Sequence, residues 1–283
     1  MSERTTTING VRVPRFLYGT AWKEDETERL TGLALRHGFR GVDTANQRRH
    51  YHEAAVGRAV AAAVAAGVAA RADLFLQTKF TFRAGQDHRL PYDPAAPVAD
   101  QVEQSFRSSL EHLGIDVIDA YLLHGPTRRD GLTAADWEAW RAIEALHQSG
   151  RSRLVGVSNV TLGQLEALCG AARVRPHVVQ NRCYASKGWD RGVRAFCAAH
   201  GMAYQGFSLL TANRQELASP ELARVAARHG RTVSQVAFRF ALDAGMTPLT
   251  GTTDPAHMAE DLGVFDFRLK PEEVAMIQKF AWV

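Results

Sequence analysis

Eight times along this chain a short apolar run of strand character gives way to a segment with helical periodicity, and no linker interrupts the alternation. Strand pattern falls at residues 16–19, 41–43, 74–79, 117–124, 154–158, 177–181, 203–207 and 247–249. Helical pattern occupies 24–37, 52–67, 98–113, 136–150, 162–170 and 191–200, then paired segments at 220–229 and 233–244, and then 255–263. One further helix is expected at 271–280. Nearly continuous apolar strands suit a parallel sheet covered on both faces. Eight strand–helix units within 283 residues predict an α/β fold, a (β/α)8 TIM barrel forming one domain over 1–283. Asn9-Gly10, between strand-like stretches at 5–7 and 11–14, is a two-residue hairpin signal. It predicts an N-terminal β-hairpin that plugs the bottom of the barrel.

Four of the strand segments end in, or just before, a chemically useful polar residue: Asp43, Lys79, His124 and Asn159. In a barrel of parallel strands all four stand at the carboxyl rim, where barrel enzymes do chemistry. Each has a plainer reading. Asp43 fits a helix cap, and His124 a hydrogen-bonded core histidine. A lysine at the end of a buried strand needs a partner, because an unpaired buried ammonium is costly. Asp43 is that expected partner, whether in a catalytic group or in a structural ion pair. Tyr51, at the start of the second helical segment, adds a fourth group. A buried lysine cation lowers a nearby phenol from its usual pKa of about 10, which predicts an acidified tyrosine able to donate a proton.

Bulk properties narrow the class further. An apolar fraction of 46% and a charged fraction of 23% are ordinary for a globular protein. The net charge is +4, and the arginines are scattered; the pairs at 48–49 and 128–129 are too short for a nucleic-acid stripe. No nucleic-acid or membrane partner is therefore expected. The three cysteines, Cys169, Cys183 and Cys197, are read as reduced thiols of a cytoplasmic protein. The eleven histidines show no metal-ligand spacing, so no metal is expected. The opening MSERTTTING is polar and lacks the apolar region of a secretion signal, and residues 60–70 are too short to span a bilayer. The longest irregular stretch, 81–97, follows the third strand, where rim loops shape binding sites.

In combination, "GFRGVDTAN" followed by "YHEAAVG", "LFLQTKF", "AYLLHGP", "GRSRLVGVSN", "HVVQNRCY" and "GTTDPAHMAEDL" resemble the aldo-keto reductase superfamily over nearly the whole chain. The resemblance implies a (β/α)8 barrel that moves hydride between a nicotinamide cofactor and a small-molecule carbonyl. It implies a tetrad of Asp43, Tyr51, Lys79 and His124. In this tetrad Tyr51 is the proton donor, Lys79 acidifies it, Asp43 aims Lys79, and His124 orients the carbonyl. One departure stands out. The family usually places its tyrosine five residues after the aspartate, where this chain has Arg48. Counting back from Glu53 and Val56-Gly57 reaches His50. Either the turn carries extra residues and Tyr51 enters the site, the preferred reading, or His50 replaces it.

The same resemblance implies a cofactor track. It runs from Gly19, Thr20 and Asp43 to a carboxamide clamp of Ser158, Asn159 and Gln180, with Phe207 stacked on the nicotinamide. The segment 208–213, including Ser208, Leu210 and Asn213, is expected to pass the pyrophosphate. Thr250, Gly251, Thr252, Thr253, His257 and Asp261 mark the adenosine end. Many family members hold the 2′-phosphate there with a Lys and an Arg, positions taken here by Gly251 and His257. NADP(H) is the expected cofactor, with NAD(H) left open. Trp22, His50 and Tyr92 are expected to line the substrate mouth. The sequence ends at Trp282-Val283, soon after the last helix, so the long C-terminal loop that narrows many family pockets is expected to be absent and the site open. Three alternatives stay open: reduction of an imine or C=C bond, a nicotinamide-binding regulatory protein with little turnover, and a Schiff-base enzyme using Lys79.

Overall fold

The predicted alternation closes on itself. The computed structural model describes residues 4–280, so the expectation about Trp282-Val283 lies outside the described residues. A hairpin of β1 (Thr5–Ile8) and β2 (Val11–Pro14) is followed by β3 (Leu17–Gly19), β4 (Gly41–Asp43), β5 (Phe75–Phe80) and β6 (Ile118–Leu123). Then come β7 (Ser152–Ser158), β8 (Val178–Arg182), β9 (Ala203–Phe207) and β10 (Met246–Thr250). The last eight strands form a closed parallel barrel in the order β10-β3-β4-β5-β6-β7-β8-β9. Helices α1 (Thr27–His37), α2 (Glu53–Ala65), α3 (Val98–Leu113), α4 (Ala134–Gln148), α5 (Leu162–Ala171) and α6 (Arg191–Ala199) flank its first six strands. After β9 come α7 (Arg214–Leu217), α8 (Pro220–His229) and α9 (Val233–Asp243); α10 (Pro255–Leu262) and α11 (Pro271–Gln278) follow β10. None of the described helices is long and apolar enough to cross a membrane.

Element ends differ from the sequence expectation by a few residues, for local reasons. Thr133 caps α4 with Asp136 at its third position, so that helix starts two residues before Asp136. β7 extends back to Ser152 because its ladder with β6 pairs Ile118 with Ser152, which hydrophobicity does not reveal. Residues 24–26 form a separate 3-10 turn ahead of α1, and the single-turn α7 carried no periodic signal. Asn9 and Gly10 both take positive φ (45° and 75°), the backbone that a two-residue hairpin turn needs.

Strand alternation then assigns every rim side chain. Leu17, Phe75, Ala120, Leu122, Leu154, Val178, Ala203 and Leu249 point into the barrel and fill its lower layers. Val13 of the hairpin packs into the same cluster, with Ile8 and Val11 against it, so the hairpin closes the amino end as expected. Two residues further along, the same inward face carries Gln77, His124, Gln180 and Gln205; four further it carries Lys79, Ser158 and Phe207, and Asp43 follows Gly41 in the same alternation. The period of two therefore delivers an apolar floor and a polar mouth from single strands.

Close backbone approach fixes one glycine outside the barrel. A Cβ on Gly57 in α2 would lie 2.0 Å from the His112 carbonyl oxygen of α3. Gly57→Ala is expected to destabilise the fold by about 1–3 kcal/mol, the usual cost of overpacking. Gly163→Ala, at an exposed α5 site with nothing within 4 Å, is expected to be neutral or slightly stabilising. Thermal unfolding of the two variants side by side checks the contrast.

Candidate active site

A carboxylate is the hub of the barrel mouth. Asp43 Oδ1 accepts from Lys79 Nζ at 2.7 Å, from Gln77 Nε2 at 2.7 Å and from Gln180 Nε2 at 3.0 Å. Both glutamines also donate to Gln205 Oε1, at 2.7 and 2.9 Å, and Gln205 Nε2 returns a bond to Gln77 Oε1 at 2.9 Å. Lys79 is 0% exposed and gives a second bond to the Thr44 carbonyl at 2.8 Å. Burial pulls its ammonium below the ordinary lysine range, and the Asp43 charge opposes that shift. With two donors committed and no exposure to the cleft, Lys79 is poorly placed to form a Schiff base with a carbonyl substrate.

Tyr51 reaches this group despite its shifted position. The backbone N–H groups of His50 and Tyr51 both donate to the Gln47 carbonyl (3.3 and 3.0 Å), forming a turn that takes up the extra residues. The Tyr51 ring then lines the cleft with Asp43 and His124. It meets the His124 ring edge-on at 5.9 Å between centroids, and Lys79 Nζ lies 5.4 Å from its centre. The expected acidification of the resting phenol is not found. Burial, and then the Asp43 charge, hold Tyr51 above the ordinary tyrosine value. Lys79 gives its hydrogen bonds to Asp43 and Thr44, so beyond its burial the tyrosine faces a neutralised pair rather than a lone cation. His124 is neutral: burial first, then the Lys79 and His50 charges, push it down to about 3. Its Nδ1 lies 2.6 Å from the Thr81 hydroxyl. In the tautomer whose Nδ1 accepts from the Thr81 hydroxyl, the neutral ring carries its proton on Nε2 as a donor.

From these groups a cleft of about 600 Å³ runs along the rim. Ser158, Asn159 and Gln180 line it beside the tetrad. The Ser158 hydroxyl donates to the Gln180 carbonyl at 2.6 Å, and Asn159 Nδ2 donates to the His124 carbonyl at 2.8 Å. Phe207, Ser208 and Leu210 follow, then Thr250, Gly251, Thr252, Thr253, His257 and Asp261, with Gly19 beside Thr250 and Gly251. Burial pushes the Asp261 carboxyl up to about 6. Trp22 stands at the mouth, 71% exposed. Three non-glycine residues of this lining, Trp22, Asn159 and Ser208, have left-handed backbone (φ 62°, 55° and 57°).

Four expected contacts do not line the cleft. Thr20 is fully buried and spends its hydroxyl on the Asp43 carbonyl at 3.0 Å. Asn213 is also fully buried and ties loops together, accepting from Ala185 N and donating to the Cys183 and Leu209 carbonyls. Tyr92 packs on Phe80, with its hydroxyl on the Thr81 carbonyl at 2.8 Å, so the 81–97 loop folds it inward. His50 lies behind Trp22, ring centroids 3.8 Å apart, with Nδ1 held by Gln47 at 3.2 Å.

One residue that sequence reasoning missed is Lys23. It lines the cleft while only 6% exposed, and its Nζ donates to the Gly251 carbonyl at 2.7 Å. Burial pushes this lysine down to about 8. No carboxylate pairs with it among the described residues. Lysine is scarce in this chain, five against twenty-nine arginines, and that scarcity was the available signal.

Comparison with known proteins agrees with this geometry. Residues 16–281 match the model of the aldo/keto reductase family. The chain is 29% identical over 280 residues to the uncharacterised oxidoreductase YtbE of Bacillus subtilis, covering 98% of this chain and 92% of that protein. It is 31% identical over 269 residues to the aldo-keto reductase AKR2E4 of Bombyx mori, covering 90% and 82%. The crystal structure of AKR2E4 in complex with NADP superposes with a TM-score of 0.84 at 27% identity, covering 99% of this chain and 93% of that one.

The hub also governs stability. Lys79→Met leaves a buried carboxylate without its cation and is expected to lose about 3–5 kcal/mol. Adding Asp43→Asn should recover part of that loss, a non-additivity that chemical denaturation of the single and double variants measures.

Proposed function

The chain belongs to the aldo/keto reductase family, and from that premise we propose that it reduces an aldehyde or ketone to the alcohol with NADPH, Tyr51 giving the proton. The observation that carries this reading is the entry of Tyr51 into the cleft beside His124, with the Asp43–Lys79 pair directly behind. The cleft suits the cofactor. Its volume is in the range of small-molecule sites, it has an aromatic and an amide cluster at one end, and it has a buried ammonium without a carboxylate at the other. Ser158, Asn159 and Gln180 would hold the carboxamide, and Phe207 would face the nicotinamide ring. Lys23 would take a phosphate. It stands 3.8 Å from where a side chain at Gly251 would begin, and so brings a cation to the wall that lacks the lysine expected there. Bound NADPH supplies the hydride.

The residues of the chain do the rest. A phenol held above its usual value stays protonated through neutral pH, so Tyr51 is loaded as a donor at rest. As negative charge builds on the carbonyl oxygen and the proton leaves Tyr51, the Lys79 ammonium begins to favour the developing phenolate across a buried gap. Lysine assistance therefore arises on the way to the transition state. His124, donating from Nε2, fixes the carbonyl oxygen against the tyrosine hydroxyl. Trp22 offers its exposed indole to the organic part of the substrate.

Tyr51→Phe is expected to lower kcat by about 10²–10⁴ while leaving the cofactor Kd unchanged, the range for loss of a general acid. His50→Ala should keep most of its turnover. The reverse pattern, in a steady-state assay with a panel of aldehydes, overturns the assignment. Lys23 is charged below its value of about 8 and neutral above it. NADPH affinity should accordingly weaken as pH rises through 8, and Lys23→Met should flatten that dependence. Fluorescence titration between pH 6 and pH 9.5, roughly the span around that value, reads the effect directly.

A further inference from the structure

The cleft continues past Phe207 into a second hollow. A groove of about 840 Å³ shares Asn159 and Phe207 with the cleft. One wall comes from the loop after β6, and the other from the segment after β8 that leads into α6. Five cations line it: Arg128 and Arg129 on the first wall, and Arg182, Lys187 and Arg191 on the second. The two acids nearby, Asp190 and Asp130, do not balance five cations. Asp190 Oδ2 is taken up by Asn181 Nδ2 and the Tyr204 hydroxyl, both at 2.8 Å, and Asp130 pairs with Arg128 at 2.9 Å. Among the described residues, Arg129, Arg182, Lys187 and Arg191 have no carboxylate partner.

Arg182 occupies the junction. It shares the inward strand face with Gln180, which places it at the mouth. Only neutral groups hold it. Nε donates to the Ser208 hydroxyl at 3.2 Å and Nη1 to the Tyr184 hydroxyl at 3.4 Å, and the guanidinium lies 5.8 Å from the Phe207 ring centre. Lys187 lies 5.1 Å from the Tyr184 ring centre, so two cations flank one tyrosine. Arg191 is the first residue of α6, where a cation opposes the helix dipole and does nothing for the helix. Like charges gathered in excess of their counter-charges, against local stability and beside the cleft, are arranged for an anion from outside.

We infer that this groove receives the anionic end of the substrate. The reading rests on the carbonyl reductase function proposed above and names its substrate class. That class is an aldehyde or ketone whose tail carries a carboxylate or a phosphate, with the carbonyl between Tyr51 and His124 and the tail reaching Arg182. Planar guanidinium groups recognise both anions with paired hydrogen bonds.

The test uses straight-chain aldehydes of matched length ending in carboxylate, phosphate or hydroxyl, with NADPH, on wild type, Arg182→Gln and the double variant Arg129→Gln/Arg191→Gln. For one chain length the charged aldehydes should show a KM about 10-fold below the hydroxyl analogue at similar kcat, the effect of one charge-assisted contact. Arg182→Gln should raise the charged substrates' KM by a similar factor and leave the neutral KM and the cofactor Kd alone. Added salt should narrow the gap, because the groove is exposed. The better of the two charged tails identifies the anion. Equal kcat/KM for charged and neutral aldehydes, unchanged by either variant, overturns the groove assignment while leaving carbonyl reduction standing. If no aldehyde of either kind is turned over, the underlying function falls, and the groove assignment falls with it.

Discussion

A charged pair sealed inside the barrel is what the rest of the mouth depends on. Asp43 and Lys79 lie 2.7 Å apart with almost no exposure, on neighbouring parallel strands. Neither charge is tolerable there alone. Their burial is sustained by amides: Gln77 and Gln180 donate to Asp43, and Gln205 ties those two together, connecting β5, β8 and β9 across the barrel interior. This network fixes the carboxylate, the carboxylate aims the ammonium, and Tyr51 lies against the result. The polar layer rests on an apolar floor plugged by the hairpin, which keeps water from reaching the pair from below.

That arrangement separates two properties that are easily merged. A tyrosine near a lysine is expected to be acidic, yet the lysine's charge here is balanced before the phenol meets it. Under the proposed reaction, resting acidity and acidity during turnover are thus different quantities. A pre-set dipole responds to charge as it forms, and low polarity in the interior makes that response strong. His124 follows the same logic. It is neutral because burial and nearby cations keep it so, and a neutral imidazole can donate a hydrogen bond without competing for the proton.

Much of this was legible in the sequence because strand period and residue type spoke together. Asp43, Lys79 and His124 end apolar runs, and a period of two places each at the mouth. Tyr51 was legible only through its chemistry, since its spacing was irregular; the turn closed on Gln47 depends on hydrogen bonds that no pattern reports. Three of the residues that do not line the cleft share one cause. Thr20, Asn213 and Tyr92 sit at the right places along the chain, but loop packing turned them inward to satisfy buried backbone groups. Lys23 was overlooked because it belongs to a loop and finds its carbonyl 228 residues away. The glutamine network is equally non-local: Gln77 and Gln205 are separated by 128 residues.

Trp22, Asn159 and Ser208 each carry a side chain through a backbone shape that suits glycine, a conformation costing about 1–3 kcal/mol apiece when the residue is bulky. Evolution toward a sturdier fold therefore has three ready openings, and each would erase an indole, an amide or a hydroxyl from the cleft wall. Robustness and chemistry pull in opposite directions at those three positions, and selection for heat tolerance alone would dismantle the wall from there.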